Sequence, residues 1–308
     1  MIIGFAITKE GLAVRGLDTM TEKRTSTMKK HIFGATGRAI AAIGQGSWYI
    51  DLADRRLAMD ALQLGLDLGM EHIDTAEMYG SGAAEDVIGE AIRGRREQVF
   101  LVSKVLPGNA SRRGTISACE RSLRQLGTDR LDCYLLHWRG SYPLEETFAA
   151  FEQLQRDGKI RSYGVSNFDA DDLQEAVDVA GPGRLACNQV LYNLKERAIE
   201  HSVLPFCRQH DIALVAYSPF GHDDFPKPGT DGRRVLDDIA QAHDATAHQI
   251  ALAFLTRDAS VFAIPKSAWA AHAQANAQAG SIMLTPEEVA RIDAVFPLGA
   301  EPQHLPMI

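Results

Sequence analysis

The stretch "EHIDTAEMYG" (Glu71 to Gly80) begins as an apolar strand, leaves the core through Asp74 and places Tyr79 five residues further on. Two other apolar runs carry ionisable groups near their ends, Lys104 in "VFLVSKV" and His137 in "LDCYLLHW". Singly, three of these have ordinary explanations: Asp74 as a loop cap, Tyr79 as a half-buried residue before Gly80, His137 as a core histidine bonded to a carbonyl. Lys104 is odder, because an ammonium is rarely buried without a partner. Together the four supply an acid, a charge pair and a hydrogen-bond director. Tyrosine, with an ordinary pKa of about 10, is a reluctant proton donor near neutrality. An ammonium about 4 Å away is expected to favour the phenolate by up to ~4 kcal/mol at an effective dielectric of 20, lowering its pKa by roughly 2–3. Asp74 would keep the buried lysine charged, and His137 would orient a substrate carbonyl. Such a set protonates an oxyanion as it forms, as when hydride adds to a carbonyl.

The elements that must bring these residues together are legible as eight short apolar runs: 41–48, 71–76, 99–105, 131–138, 160–167, 185–190, 212–220 and 261–267. Helical patterns with apolar residues three and four apart lie between them. Ser81 is a candidate cap for "GAAEDVIGEAI", Pro205 is expected to kink or split one helix, and Thr285 with Pro286 opens the last. This alternation predicts a parallel sheet with helices outside, and eight repeats fit an α/β fold of the (β/α)8 TIM-barrel type. An open doubly wound sheet would want GxGxxG after an early strand, and the chain has none. "HIFGATGRAIAAIG" reads as an N-terminal β-hairpin closing the bottom of the barrel. In a closed barrel the C-terminal strand ends form one active face. Here they carry Trp48, Asp74 with Tyr79, Lys104, His137, Ser166 with Asn167, Asn188 with Gln189, Tyr217 with Ser218, and Lys266 with Ser267.

Composition narrows the function classes. The 308 residues carry a formal net charge of −8, which argues against nucleic acid or an anionic membrane as partner. No apolar run reaches the ~18 residues of a membrane span. Cys119, Cys133, Cys187 and Cys207 have no CxxC or Cys/His ligand spacing. They read as buried thiols in a reducing, cytoplasmic compartment, with no metal site expected. Residues 1–28 are expected to be a poorly ordered extension, with the barrel spanning 29–308.

The blocks "HIDTAEMYGSGAAEDVIGEAI", "LVSKV", "LGTDRLDCYLLHW", "GKIRSYGVSNF", "NQVLYNL", "AYSPFG" and "IPKS" resemble the aldo-keto reductases, from about Lys30 to about Pro297. "DCYLLHWRGSYPLEETFAAFEQL" and the short C-terminal segment are closer to bacterial members acting on small aldehydes such as methylglyoxal. The resemblance implies reduction of aldehydes and ketones by NADPH, with NADH a possible substitute. Tyr79 would be the general acid, Asp74 and Lys104 its tuners, and His137 the substrate director. Ser166, Asn167 and Gln189 match the positions that hold the nicotinamide carboxamide, and Tyr217 the ring that stacks on it. Ser218, Phe220 and the "GHDD" loop (221–224) would follow the pyrophosphate, Lys266 and Ser267 the 2′-phosphate, and Asn276 the adenine. His272 stands where many NADPH-specific members have arginine, and Ala275 where many have glutamate before the adenine asparagine.

Trp48, Tyr49 and Trp138 are expected to wall a pocket for small carbonyl compounds, and the short tail after Pro297 argues against a large covering loop. The expected assembly is a monomer or weak homo-oligomer. Two other readings stay open: a binding or regulatory protein that holds nicotinamide without turnover, and a Schiff-base aldolase using Lys104 as nucleophile. Because a histidine lacks the planar fork of arginine and is mostly neutral at pH 7, the preference for NADPH should shrink as pH rises through the imidazole range. Comparing kcat/KM for NADPH and NADH tests this, and equal values at pH 6 refute it.

Overall fold

The computed structural model describes residues 28–308, so the expected N-terminal extension lies, but for Met28, outside the described residues. Two short antiparallel strands, β1 (Lys30–Ile32) and β2 (Ala39–Ala41), form the hairpin. The alternating unit follows: β3 (Gln45–Gly46), α1 (Arg55–Asp67), β4 (His72–Asp74), α2 (Ala83–Ala91), β5 (Phe100–Val105), α3 (Arg112–Gln125), β6 (Leu131–Leu136) and α4 (Leu144–Arg156). It continues through β7 (Ile160–Ser166), α5 (Ala170–Ala180), β8 (Leu185–Leu191), α6 (Val203–Gln209), β9 (Ala213–Tyr217), α7 (Asp231–Ala242) and α8 (Ala247–Leu255). It ends with β10 (Val261–Ala263), α9 (Ala270–Ala279) and α10 (Pro286–Val295).

Strands β3 to β10 pair in parallel, each beside the next in sequence. The ring joins across its first and last members, where Gly44 N donates to Ala263 O at 2.8 Å and Ala263 N to Ala42 O at 2.9 Å. Gly46 also bridges Lys266 in parallel. The eight-stranded barrel expected from the apolar runs is therefore present, with helices outside. Leu, Ile, Val and Ala side chains fill the layer between strands and helices, as burial on both faces of a parallel sheet requires.

Local signals mostly act as their chemistry dictates. Thr285 caps α10, with Glu288 closing a capping box and Pro286 at its first position. Ser81 does not cap α2: it sits in a short 3₁₀ turn with φ 54°, and the cap position belongs to Gly82 at φ 98°. Gly80, Ser81 and Gly82 hold consecutive left-handed backbone between Tyr79 and α2. The Pro205 segment does split, into a 3₁₀ turn at Ala198–Glu200 and α6.

The hairpin plugs the N-terminal end of the barrel. Phe33 is fully buried there, with ring centroids 4.8 Å from Phe100 and 5.0 Å from Phe262. Gly34 has φ +48°, and a Cβ at this position would stand 2.0 Å from the carbonyl oxygen of Ala186. His72 completes the plug, edge-on to Phe33 and Phe100 at 5.6 Å. Neither of its ring nitrogens finds a hydrogen-bond partner. Burial, reinforced by the charge of Lys104, pushes its pKa down to about 3.

Two outcomes follow. Gly34→Ala should lose roughly 2–5 kcal/mol of stability, from left-handed strain plus overlap with a backbone atom. Gly37→Ala, also left-handed but with nothing within 4 Å of its Cβ, should lose only the conformational part of about 1–2 kcal/mol; equal urea midpoints would refute the overlap. For His72, the unfolded chain takes up a proton below about pH 6.5 that the native state refuses until about pH 3. Stability is therefore fully present above pH 6.5 and declines as pH falls through that window, by up to about 1.4 kcal/mol per pH unit. His72→Phe should remove this share, so its advantage over the parent chain grows on acidification. A constant difference between pH 7 and pH 4.5 would overturn it.

Candidate active site

At the opposite, C-terminal end of the strands lies a cleft of about 450 Å³. Asp74, at the end of β4, is paired with Val102 of β5. Lys104 is two residues beyond Val102 and so on the same inward face. Its ammonium is completely buried and lies 2.5 Å from Asp74 Oδ1, 2.8 Å from the carbonyl oxygen of Thr75 and 3.3 Å from the hydroxyl of Tyr79. The other carboxylate oxygen of Asp74 accepts from Gln189 Nε2 at 2.7 Å. Asp74 thus meets a donor on each oxygen and the lysine meets three acceptors, an arrangement that keeps the proton on Lys104. Burial pushes the lysine pKa down, but Asp74 and then Tyr79 more than offset it, and the net direction is upward.

Tyr79 is held by its loop. Glu77 Oε1 accepts from Leu106 N at 2.8 Å and from Asn109 Nδ2 at 2.9 Å, tying the loop to the segment after β5. Beyond it, Glu85 in the first turn of α2 is buried and accepts from Ser103 Oγ at 2.7 Å, next to Lys104. The phenol does not behave as the charge argument alone expects. Burial raises its pKa, Lys104 pulls it back only in part, and Tyr79 remains above the ordinary tyrosine range. The expected lowering by roughly 2–3 is overturned because desolvation of the phenolate exceeds the attraction of an ammonium already neutralised by Asp74.

His137 stands edge-on to Tyr79, ring centroids 5.8 Å apart. Burial, with a further push from Lys104, lowers its pKa to about 2, so the imidazole is neutral. Beside it Asn167 donates to His137 O and to Ser166 Oγ, both at 3.2 Å, and accepts from the hydroxyl of Tyr217 at 2.9 Å. Ser166 Oγ in turn donates to Gln189 O at 2.8 Å. Asn167, Ser218 and Tyr49 all hold left-handed backbone at the cleft, a conformation that persists only where surrounding contacts overdetermine it.

The cleft brings together Trp48, Tyr49, Asp74, Tyr79, His137, Trp138, Ser166, Asn167, Gln189, Tyr217, Ser218, Phe220 and Lys266 from the sequence reading. Lys104 lies directly beneath it. Ser267, His272 and Asn276 are not part of its wall; His272 is exposed on α9 and Asn276 is buried there. Among the wall residues not foreseen are Met78 and Ile308, whereas His222 belongs to the "GHDD" loop expected along the pyrophosphate. His222 stacks on Trp48 at 5.7 Å, and Trp48 on Tyr49 at 4.6 Å. Ile308 shows that the short C-terminal segment does reach the cleft. Among the described residues no group of three metal-ligating side chains converges, and no helix is long and apolar enough to cross a membrane. All four cysteines are buried and unpaired.

Comparison with known proteins places this geometry. Residues 42–296 match the Aldo/keto reductase family. The chain is 47% identical over 261 residues to the methylglyoxal reductase YeaE of Escherichia coli (strain K12), covering 84% of this chain and 92% of that protein. It is 32% identical over 223 residues to an NADH-specific methylglyoxal reductase of the same organism, covering 62% and 67%. A crystal structure of an aldo/keto reductase from Klebsiella pneumoniae in complex with NADP and acetate is 43% identical, with a TM-score of 0.85, covering 91% of this chain and all of that one. The chain belongs to the aldo/keto reductase family.

Proposed function

We propose that the protein reduces small aldehydes and α-dicarbonyls to alcohols with NADPH, and that Tyr79 supplies the proton. One observation carries this reading: the Tyr79 hydroxyl lies 3.3 Å from an ammonium that Asp74 pins at 2.5 Å, with a neutral imidazole beside it at the same cleft. The catalytic unit is residues 29–308, with residues 1–28 an appendage, and the buried free thiols fit a reducing cytoplasm.

The residues present fit a nicotinamide dinucleotide phosphate. Asn167 and Ser166 offer amide and hydroxyl groups at the strand ends, and Tyr217 offers a ring beside them. Lys266 is exposed and makes no hydrogen bond or ion pair among the described residues, leaving its ammonium available to a phosphate, with Ser267 beside it. Ser218 and Phe220 border the path between, while His272 and Asn276 on α9 lie further out. Relatives bound to NADP and NADPH support the phosphorylated cofactor, and an NADH-specific relative keeps NADH as a second partner.

The bound cofactor supplies the hydride to the carbonyl carbon. Everything else falls to the chain. Neutral His137 can donate one hydrogen bond to the carbonyl oxygen without adding charge, which orients it toward Tyr79. As the oxygen gains charge, the phenolic proton moves to it, and Lys104 stabilises the phenolate left behind. Trp48, Tyr49, Trp138 and Phe220 give the cleft apolar walls, and a volume of about 450 Å³ shared with the nicotinamide leaves room for a small carbonyl compound. The aldolase alternative needs a neutral amine, whereas the Lys104 pKa is raised and its ammonium is engaged on three sides.

Tyr79→Phe should lower kcat for NADPH oxidation with methylglyoxal by roughly 10²–10⁴, while the Kd for NADPH, read by fluorescence quenching, stays unchanged. Undiminished turnover would remove Tyr79 from the mechanism. A parent chain that binds NADPH but oxidises it with no aldehyde would favour the binding-protein reading.

A further inference from the structure

A second cavity, of about 330 Å³, opens at the N-terminal end of the strands, on the far side of the barrel from the catalytic cleft. Its wall carries three arginines from distant parts of the chain: Arg38 from the hairpin, Arg161 from β7 and Arg184 just before β8. Buried Asp132 also faces it, but both of its carboxylate oxygens are engaged, by Arg38 at 2.6 Å and by Arg96 at 2.7 Å, and Leu101 N donates a third bond. Glu152 stands 3.6 Å from Arg184. The cavity wall itself thus carries three guanidinium groups and one carboxylate, in a chain whose formal net charge is −8.

Aromatic packing holds two of these guanidinium groups in place, while Arg161 stands half exposed beside them. Arg38 lies over the Phe100 ring at 5.2 Å and Arg184 over the Tyr163 ring at 5.8 Å, with Arg184 Nε donating to the Tyr163 hydroxyl at 3.3 Å. The Arg161 guanidinium makes no hydrogen bond among the described residues; its Nε is 4.0 Å from Asp132 Oδ1, and Gln155 Nε2 donates to the Arg161 carbonyl at 2.7 Å. An arginine has five N–H donors in a planar fork suited to phosphate oxygens. Arg38 spends donors on Asp132 and Val99 O, and Arg184 on Tyr163 and Gln155, but the Arg161 fork is left unengaged.

We propose that this cavity is a binding site for a small phosphoryl-bearing anion, free phosphate or a phosphomonoester, gripped by Arg161 and Arg184 with Arg38 as backing charge. The site is independent of the redox reading, because none of its residues touches the catalytic cleft.

Calorimetric titration of the full chain with inorganic phosphate, with glycerol 3-phosphate and with sodium chloride at equal ionic strength tests this. Saturable one-site binding is expected for at least one phosphoryl compound and not for chloride. Tighter binding of glycerol 3-phosphate identifies a phosphomonoester, and equal or weaker binding identifies free phosphate. Arg161→Ala and Arg184→Ala should each weaken it about tenfold or more, as loss of a charge-assisted contact implies. Arg161→Gln, which keeps the stem, should do the same. Carbonyl reduction by all three variants should be unchanged, which also confirms their folding. Binding that is absent, is matched by chloride, survives the arginine changes, or vanishes in Lys266→Ala instead overturns the proposal.

Discussion

The site turns on a lysine that water cannot reach. An ammonium without exposed surface persists only if its charge is met inside the protein, and Lys104 is met by Asp74, the Thr75 carbonyl and the Tyr79 hydroxyl. Removing one partner of such a pair typically costs about 3–5 kcal/mol, whereas replacing both with well-packed apolar groups is often neutral. Stability alone therefore does not account for it. The pair instead sets the register of β4 against β5 in functional terms: a slip of one residue would turn Lys104 outward into the helical layer. Gln189, from the far side of the barrel on β8, is bound into the same arrangement through Asp74, so two distant strands depend on one carboxylate.

The surroundings carry very little other charge. His137 and His72 are both held neutral by burial, and Tyr79 keeps its proton. A substrate oxygen that begins to charge in this cleft meets one buried ion pair, an uncharged imidazole and a phenol whose conjugate base is poorly solvated until Lys104 compensates it. The phenol is thus not a pre-acidified group waiting to ionise. In the mechanism proposed above its proton would pass to an oxyanion that forms beside it, so the ammonium would act on the transition state rather than on the resting tyrosine.

Much of this was legible in the chain because strands write their chemistry at their ends. Eight apolar runs, each closing on polar or aromatic residues, yielded both the barrel and its mouth, and Asp74, Lys104 and His137 stand where those runs predicted. What escaped lies in loops or depends on desolvation. Ser81 looked like a cap, but nothing in its type reveals the left-handed turn that moves the cap to Gly82. Met78 and Ile308 reach the cleft through loop geometry that no periodicity encodes. The rise in the Tyr79 pKa could not be read because the depth of its burial is a property of the folded barrel. The arginine cavity joins Arg38 to Arg161 and Arg184, more than a hundred residues further on, each unremarked in its own segment.

Closure of the barrel across Ala42–Gly46 and Ala263–Pro265 also governs when the site can exist during synthesis. Asp74, Tyr79, Lys104 and His137 have all emerged from the ribosome long before β10, yet the ring has two bare margins until that strand arrives. Unpaired strand margins invite association with other chains, and contacts between such distant segments form slowly. A nascent chain of this kind is chemically equipped well before it is architecturally safe, which makes the interval before the last strand its most exposed moment to misassembly.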